Sequence, residues 1–171
     1  IDSGAGLTIK ANALNNAAGN LTAQQGFSFE GSSLDNSAGN LSSKADMTLD
    51  LLGSLTNTSG KLASGGNLLL RRSAAINNQA GQLISQSLMT LNTSGQLDNR
   101  NRGTVAANNT LKVVAGGSVL NDADGLIYSQ SADAHLNAAS LSNVRGAVQS
   151  VGALVVDVAD TVDNQNGRII A

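Results

Sequence analysis

Ile76-Asn77-Asn78-Gln79-Ala80-Gly81-Gln82-Leu83 is one copy of a pattern that returns along the whole chain: an aliphatic residue, one spacer, Asn, two or three more residues, Gly, one spacer, and a second aliphatic residue. An earlier copy reads Leu14-Asn15-Asn16-Ala17-Ala18-Gly19-Asn20-Leu21. The glycine recurs at Gly19, Gly39, Gly60, Gly81, Gly103, Gly125, Gly146 and Gly167, in steps of 20 to 22 residues. A fixed period of this size is the mark of a stacked repeat architecture.

Outward from the glycine, every other position of the unit is also a column. Two residues on stand Leu21, Leu41, Leu62, Leu83, Val105, Ile127, Val148 and Ile169, and two further on a small residue: Ala23, Ser43, Ser64, Ser85, Ala107, Ser129, Ser150, Ala171. Then comes an apolar pair split by one residue: Leu7/Ile9, Phe27/Phe29, Met47/Leu49, Leu68/Leu70, Met89/Leu91, Leu111/Val113, Ala134/Leu136 and Leu154/Val156. A period of two predicts a strand with one face buried. A third aliphatic column is read at Leu14, Leu34, Leu55, Ile76, Leu97, Leu120, Leu141 and Val162. Two residues later an amide or acid column follows: Asn16, Asn36, Asn57, Asn78, Asn99, Asp122, Asn143 and Asn164.

Asn and Gly interrupt every stretch before a helix of useful length can form, so each unit holds two or three short strands separated by turns. Asn tolerates left-handed angles, and Gly is expected to supply a positive φ at the turn. Stacking such units about 4.8 Å apart makes a parallel β-helix, an all-β solenoid of about eight coils and roughly 38 Å in length. The inward Asn column is then a ladder, each amide bonded to the one above and the one below. A leucine-rich repeat has an overlapping period, but here the apolar pairs are not followed by Asn at its spacing and no helical segment completes the unit.

Composition agrees with a thin, uniform interior. Of 171 residues 41% are hydrophobic, yet only Phe27, Phe29 and Tyr128 are aromatic, and Pro, Cys and Trp are absent. A narrow coil favours stacked aliphatic side chains, and proline would remove an inter-coil hydrogen bond. Without Cys there is no disulfide framework and no thiolate metal site. A net charge of −2 with ten scattered Lys and Arg gives no electrostatic footprint for nucleic acid. No apolar run approaches the roughly 20 residues of a membrane span.

The repeated motif quoted above resembles the haemagglutinin repeats of Gram-negative two-partner secretion exoproteins, the family of filamentous haemagglutinins and contact-dependent growth inhibition toxins. The resemblance covers all eight units. It implies a right-handed β-helical rod, export through an outer-membrane partner transporter, and a surface-attached filament that presents adhesive or receptor-binding regions outside the cell. The family's secretion motif and toxin domains have no counterpart in these residues, and both ends fall within a coil. Residues 1–171 are therefore expected to be one β-helical segment from the interior of a longer protein, acting as a rigid spacer. Binding of a host glycan or target-cell receptor, or delivery of a toxin, is the alternative role.

Candidate chemistry is sparse. No long loop is available to build a cleft, which argues against an enzyme and against a cofactor. His135 lies between inward Ala134 and Leu136, so strand alternation turns it outward without a partner. Asp122 and Asp124 beside Gly125 lack the glycine-rich nonapeptide of calcium-binding rolls, so no metal is expected. Thr8, Ser28, Thr48, Leu69, Thr90, Lys112, His135 and Val155 form one outward column, and the next is too mixed for a regular ice-binding face. Arg71, Arg72, Arg100 and Arg102, in adjacent or nearby coils, are the candidates for a basic surface contact with an anionic glycan or lipid. A solvated face that keeps rods apart is the alternative for these arginines. The N-x-[ST] matches at Asn20, Asn40 and Asn57 are expected by chance in so Asn-rich a repeat.

Overall fold

The computed structural model describes residues 1–171. All regular structure is strand, in 25 short pieces arranged as three sheets of nine, eight and eight strands. One coil contributes one strand to each sheet, for example Asn40–Ser43 to the first, Met47–Leu51 to the second and Ser54–Thr56 to the third. Strand pairs only with its counterpart in the coil before and the coil after, always parallel. The chain is a parallel β-helix of three faces, and its coils are numbered here one to eight by their glycine, Gly19 to Gly167.

The register puts like residue on like residue. Leu21, Leu41, Leu62, Leu83, Val105, Ile127, Val148 and Ile169 are successive partners in the first sheet. The eight apolar pairs from Leu7/Ile9 to Leu154/Val156 stack likewise in the second. Their inward faces meet in one cluster of 30 buried residues. A fully buried aliphatic side chain contributes about 1.5–3 kcal/mol, so a coil with three or four of them offsets much of its ordering entropy only when neighbours cover it. At the two ends, Leu7, Ile9 and Leu14 and Leu154, Val156 and Val158 pack against the cluster while remaining partly exposed.

One register detail departs from the sequence reading, and a second interrupts the regular spacing. In coil six the inward residue of the third sheet is Val119, which pairs with Leu97 and Leu141 and is fully buried; Leu120 pairs with Asp98 and Ser142. In coil four the second strand bulges between Leu70 and Arg72, so Arg72 and not Arg71 stands opposite Asp50. The extra residue in Arg71-Arg72-Ser73 is accommodated at the strand end, where one unpaired residue costs the ladder little.

The small column has a further cause beyond close walls. It lies inside the corner between the first and second sheets, where buried hydroxyls satisfy backbone carbonyls. Ser64 shares its proton between Asn67 O at 2.8 Å in its own coil and Ala45 O at 2.9 Å one coil earlier. Ser85 does the same with Leu88 O and Gly66 O, both at 2.9 Å, and Ser129 with Ala132 O and Asn109 O at 2.9 and 2.8 Å. Buried polar groups are retained because they are paired, and no buried side-chain N or O lacks a partner.

Strand phase can be tested at adjacent residues. Leu91 is fully buried whereas Thr90 faces outward between Leu69 and Lys112. Leu91→Asp is expected to cost about 4 kcal/mol or more, and Thr90→Asp to stay within about 0.5 kcal/mol. Denaturant unfolding followed by far-UV circular dichroism reads both, and equal tolerance would refute the assignment of faces.

Candidate functional site

The most regular side-chain chemistry in the molecule lies at the corner that carries each coil from the third sheet to the first. Here a buried Asn amide donates from Nδ2 to Oδ1 of the Asn in the next coil. The rungs are Asn16 to Asn36, Asn36 to Asn57, Asn57 to Asn78, Asn78 to Asn99, Asn99 to Asn121, Asn121 to Asn143 and Asn143 to Asn164, all at 2.7–2.8 Å. The same Nδ2 reaches a carbonyl at the start of the next coil's first strand, as Asn57 does to Gln82 O at 3.0 Å. It also reaches the glycine carbonyl of its own turn, Gly60 O at 3.2 Å for Asn57.

Coil six corrects the sequence reading: the ladder residue is Asn121, fully buried, and not Asp122. Each rung must accept on Oδ1 from below and donate from Nδ2 upward, and an ionised carboxylate has no proton to donate. Asp122 instead faces outward, accepting from Ser142 Oγ at 2.6 Å and from the Val144 N–H at 2.8 Å.

The glycine column also works differently from the expectation. None of its glycines has a positive φ. The left-handed angle belongs to the residue before each one: Ala18, Ala38, Ser59, Ala80, Arg102, Asp124, Arg145 and Asn166, with φ between 51° and 68°. Coils five and six carry one more turn residue, and there Asn101 and Ala123 are left-handed as well. Glycine is required for space. A Cβ on Gly60 would sit 2.7 Å from Asn57 Oδ1 and closer still to the Asn36 carbonyl oxygen one coil earlier. A Cβ on Gly125 would meet Asn121 Oδ1 at 2.6 Å and the Asn99 carbonyl oxygen at 2.5 Å.

The repeat unit built around this Asn and Gly corner was compared with known families. The haemagglutinin-repeat profile matches residues 1–50, 31–101 and 90–166. The chain belongs to the haemagglutinin-repeat family. No curated protein and no solved structure matches it.

The four arginines singled out in this haemagglutinin-repeat chain do not converge on one patch. Arg72, at the end of the second sheet, is bonded through Nε to Asp50 Oδ1 at 2.5 Å. Arg71 beside it is exposed and unpaired in the bulge. Arg100 and Arg102 lie instead on the Asn corner. Arg100 grips Asp98 through Nε and Nη2 at 2.9 and 2.7 Å, and Arg102 lies 3.9 Å from Asp124. Burial pushes the Asp98 carboxyl up, but the Arg100 hydrogen bonds and charge, with the Gln79 amide, outweigh it and hold the group below the usual carboxylate range. Arg100 is thereby committed to structure.

Other candidates are equally dispersed. His135 is exposed between Lys112 and Val155 in its column. No three His, Cys, Asp or Glu side chains come together. Asp124 is separated from Asp122 by the turn and points to solvent. No helix is present that is long and apolar enough to cross a membrane. The bulge does open a hollow of about 350 Å³ lined by Leu51, Leu52, Arg72, Ser73, Asn92 and Thr93 among others.

The ladder and its glycine can be tested separately. In Asn57→Asp the new carboxylate would face three acceptors, Asn78 Oδ1, Gly60 O and Gln82 O. A loss of about 3 kcal/mol or more is expected at neutral pH. Burial among acceptors raises the folded-state pKa of such a carboxyl. The penalty is therefore smallest below the ordinary carboxylate value and grows as pH rises through it; unfolding midpoints at pH 4 and pH 7 give the comparison, and a variant weaker at low pH relative to the parent contradicts the ladder. At the next corner, Ala80→Gly should stabilise by about 1 kcal/mol by relieving a left-handed alanine, whereas Gly81→Ala should cost about 3 kcal/mol by overpacking. Shifts of the same sign in the two variants would overturn this division of labour.

Proposed function

We propose that this chain is a stretch of the shaft of a secreted filamentous exoprotein, a rigid spacer without catalytic activity that holds adhesive or receptor-binding regions away from the surface of a Gram-negative bacterium. Passage through an outer-membrane partner transporter would precede folding outside the cell. The observation that carries the reading is the unbroken Asn ladder, with one rung between every pair of successive coils. Repetition of that kind serves extension, because every coil contributes the same rise and the same contacts while no coil assembles a cleft of convergent acid, base or nucleophile.

Folding only after export suits this architecture. A coil of about 21 residues has no hydrophobic core of its own, so the chain can cross a pore extended and then gain stability coil by coil on a folded neighbour. The absence of Cys from the chain means that no oxidant is needed on the way.

Removing Lys61 to Gly81 joins Gly60 to Gln82 in the same frame and deletes one coil. The shortened chain is expected to keep cooperative unfolding and to lose about 4.8 Å of length by small-angle X-ray scattering, with twice that loss for two coils. Collapse of the fold, or a length change that does not scale with coil number, would remove the modular spacer reading.

A further inference from the structure

We propose that coil six is a two-frame element whose third strand can slide by one residue, and that the negative charge of Asp122 latches it in its present frame until acid neutralises it. In the present frame Val119 is inward and Asn121 is the ladder residue; in the shifted frame Leu120 and Asp122 would take those places. Asn121 donates to Asn143 Oδ1, Gly125 O and Ala147 O at 2.7, 3.1 and 2.9 Å. A carboxylate put there would face the same three acceptors with no proton to give, so ionised Asp122 is shut out.

Packing and backbone pull the other way. Leu120 is half-buried on the outward face, between Asp98 and Ser142. The slide would bury it between Leu97 and Leu141 in place of the smaller Val119. The turn would also become regular. Asn121 stands four residues before Gly125, whereas in coils one to four, seven and eight the ladder Asn stands three before its glycine. The longer turn gives coil six two left-handed residues, Ala123 and Asp124, with φ of 53° and 65°. Asp122 already holds the three-residue place in the backbone: its carbonyl accepts the Gly125 N–H at 3.3 Å, as Asn57 O accepts that of Gly60 at 3.0 Å. The extra residue would pass to the corner before the strand, at Gly116-Gly117, where glycine admits angles closed to other residues.

Coil five has the same four-residue turn but no second frame, because a slide there would place Asp98 in the core and Arg100 in the ladder. In coil six the latch opens by neutralisation. A protonated Asp122 can accept from Asn99 on its carbonyl oxygen and donate its one proton to Asn143. The slide therefore takes up a proton and is favoured as pH falls. Asp122→Asn supplies two N–H donors and serves the rung without a proton. In the present frame Asp122 faces Ser142 Oγ and the Val144 N–H of coil seven. From coil five it faces the Arg100 guanidinium, which Asp98 and, to a smaller degree, Asp122 hold above the usual arginine range. Asp124, on the same turn, lies toward Arg102.

The chain has no Cys, so a single introduced thiol reports the frame. Val119 is fully buried and Leu120 half-buried. The Val119→Cys and Leu120→Cys chains would be reacted with 4,4′-dithiodipyridine at pH 7 and pH 4, each rate divided by that of the same chain unfolded in urea. At pH 7, adding Asp122→Asn is expected to raise the relative rate at position 119 by about tenfold or more and to lower it at position 120. Acid without that substitution should move the two rates in the same opposite directions. Leu97→Cys, inward one coil earlier, should stay protected throughout, and circular dichroism verifies that each variant is folded. Rates that ignore Asp122→Asn, rates that rise together at 119 and 120, or exposure of position 97 would each overturn the two-frame reading. A response to the substitution without one to pH would overturn release by acid.

Discussion

Every strand in this molecule finds its hydrogen-bond partners only in the coils before and after it, so each side chain has its own counterpart for a neighbour at a distance of one strand spacing. That constraint governs what each column tolerates. An inward leucine stacks on leucine without penalty, but an inward polar group must be able to bond to a copy of itself. A carboxamide can, since it carries both an acceptor and a donor and can point them in opposite directions along the axis. The ladder from Asn16 to Asn164 is the result, and its direction is the same at every rung. Asp, Ser and Lys could not be repeated there without a missing donor, a short reach or a repelled charge.

The ladder in turn explains the strain beside it. To bring each amide under the next coil, the chain must turn sharply, and the carbonyl of the previous Asn presses on the position that follows the turn. Only glycine fits that position, as the contacts of Gly60 and Gly146 with Asn36 and Asn121 make plain. The left-handed angle is thereby left to the preceding residue, and in coils one to four that residue is Ala or Ser. An L-residue in that region costs of order 1–3 kcal/mol. The amide's bonds to Oδ1 and to two carbonyls offset this cost locally, and the buried aliphatic residues on either side stabilise the rest. Serine at the opposite corner works by the same logic: its hydroxyl reaches a carbonyl in its own coil and one in the coil before.

Most of this was legible in the sequence because the period is strict. The first-sheet column from Leu21 to Ile169 and the paired column from Leu7/Ile9 to Leu154/Val156 are the observed partners throughout. Coil six was misread because Val119-Leu120-Asn121-Asp122 fits the pattern in two frames one residue apart. Donor capacity decides between them, and a rule that every ladder residue must donate would have selected Asn121. A bulge leaves no mark in a count of residues, so the pairing of Arg72 with Asp50 is not legible in the spacing. The glycine was rightly placed but wrongly explained, since its recurrence says that a side chain is excluded and does not say whether angle or space excludes it. The arginines group by adjacent or nearby coils in the sequence, while their pairing with Asp50 and Asp98 depends on which face each strand end turns outward.

Where the interior is bound to repetition, individuality has only the outward columns in which to appear. Thr8, Ser28 and Thr48 give way along one such column to Lys112 and His135, and the left-handed corner passes from Ala18 and Ala38 to Arg102, Asp124, Arg145 and Asn166. Because each coil adds one residue to each column, a single small residue between two large ones is enough to make a concavity. Leu126, Ala147 and Arg168 form one in this way. A β-helix can thus vary its lateral surface by substitution alone, at sites that bear on neither the ladder nor the core.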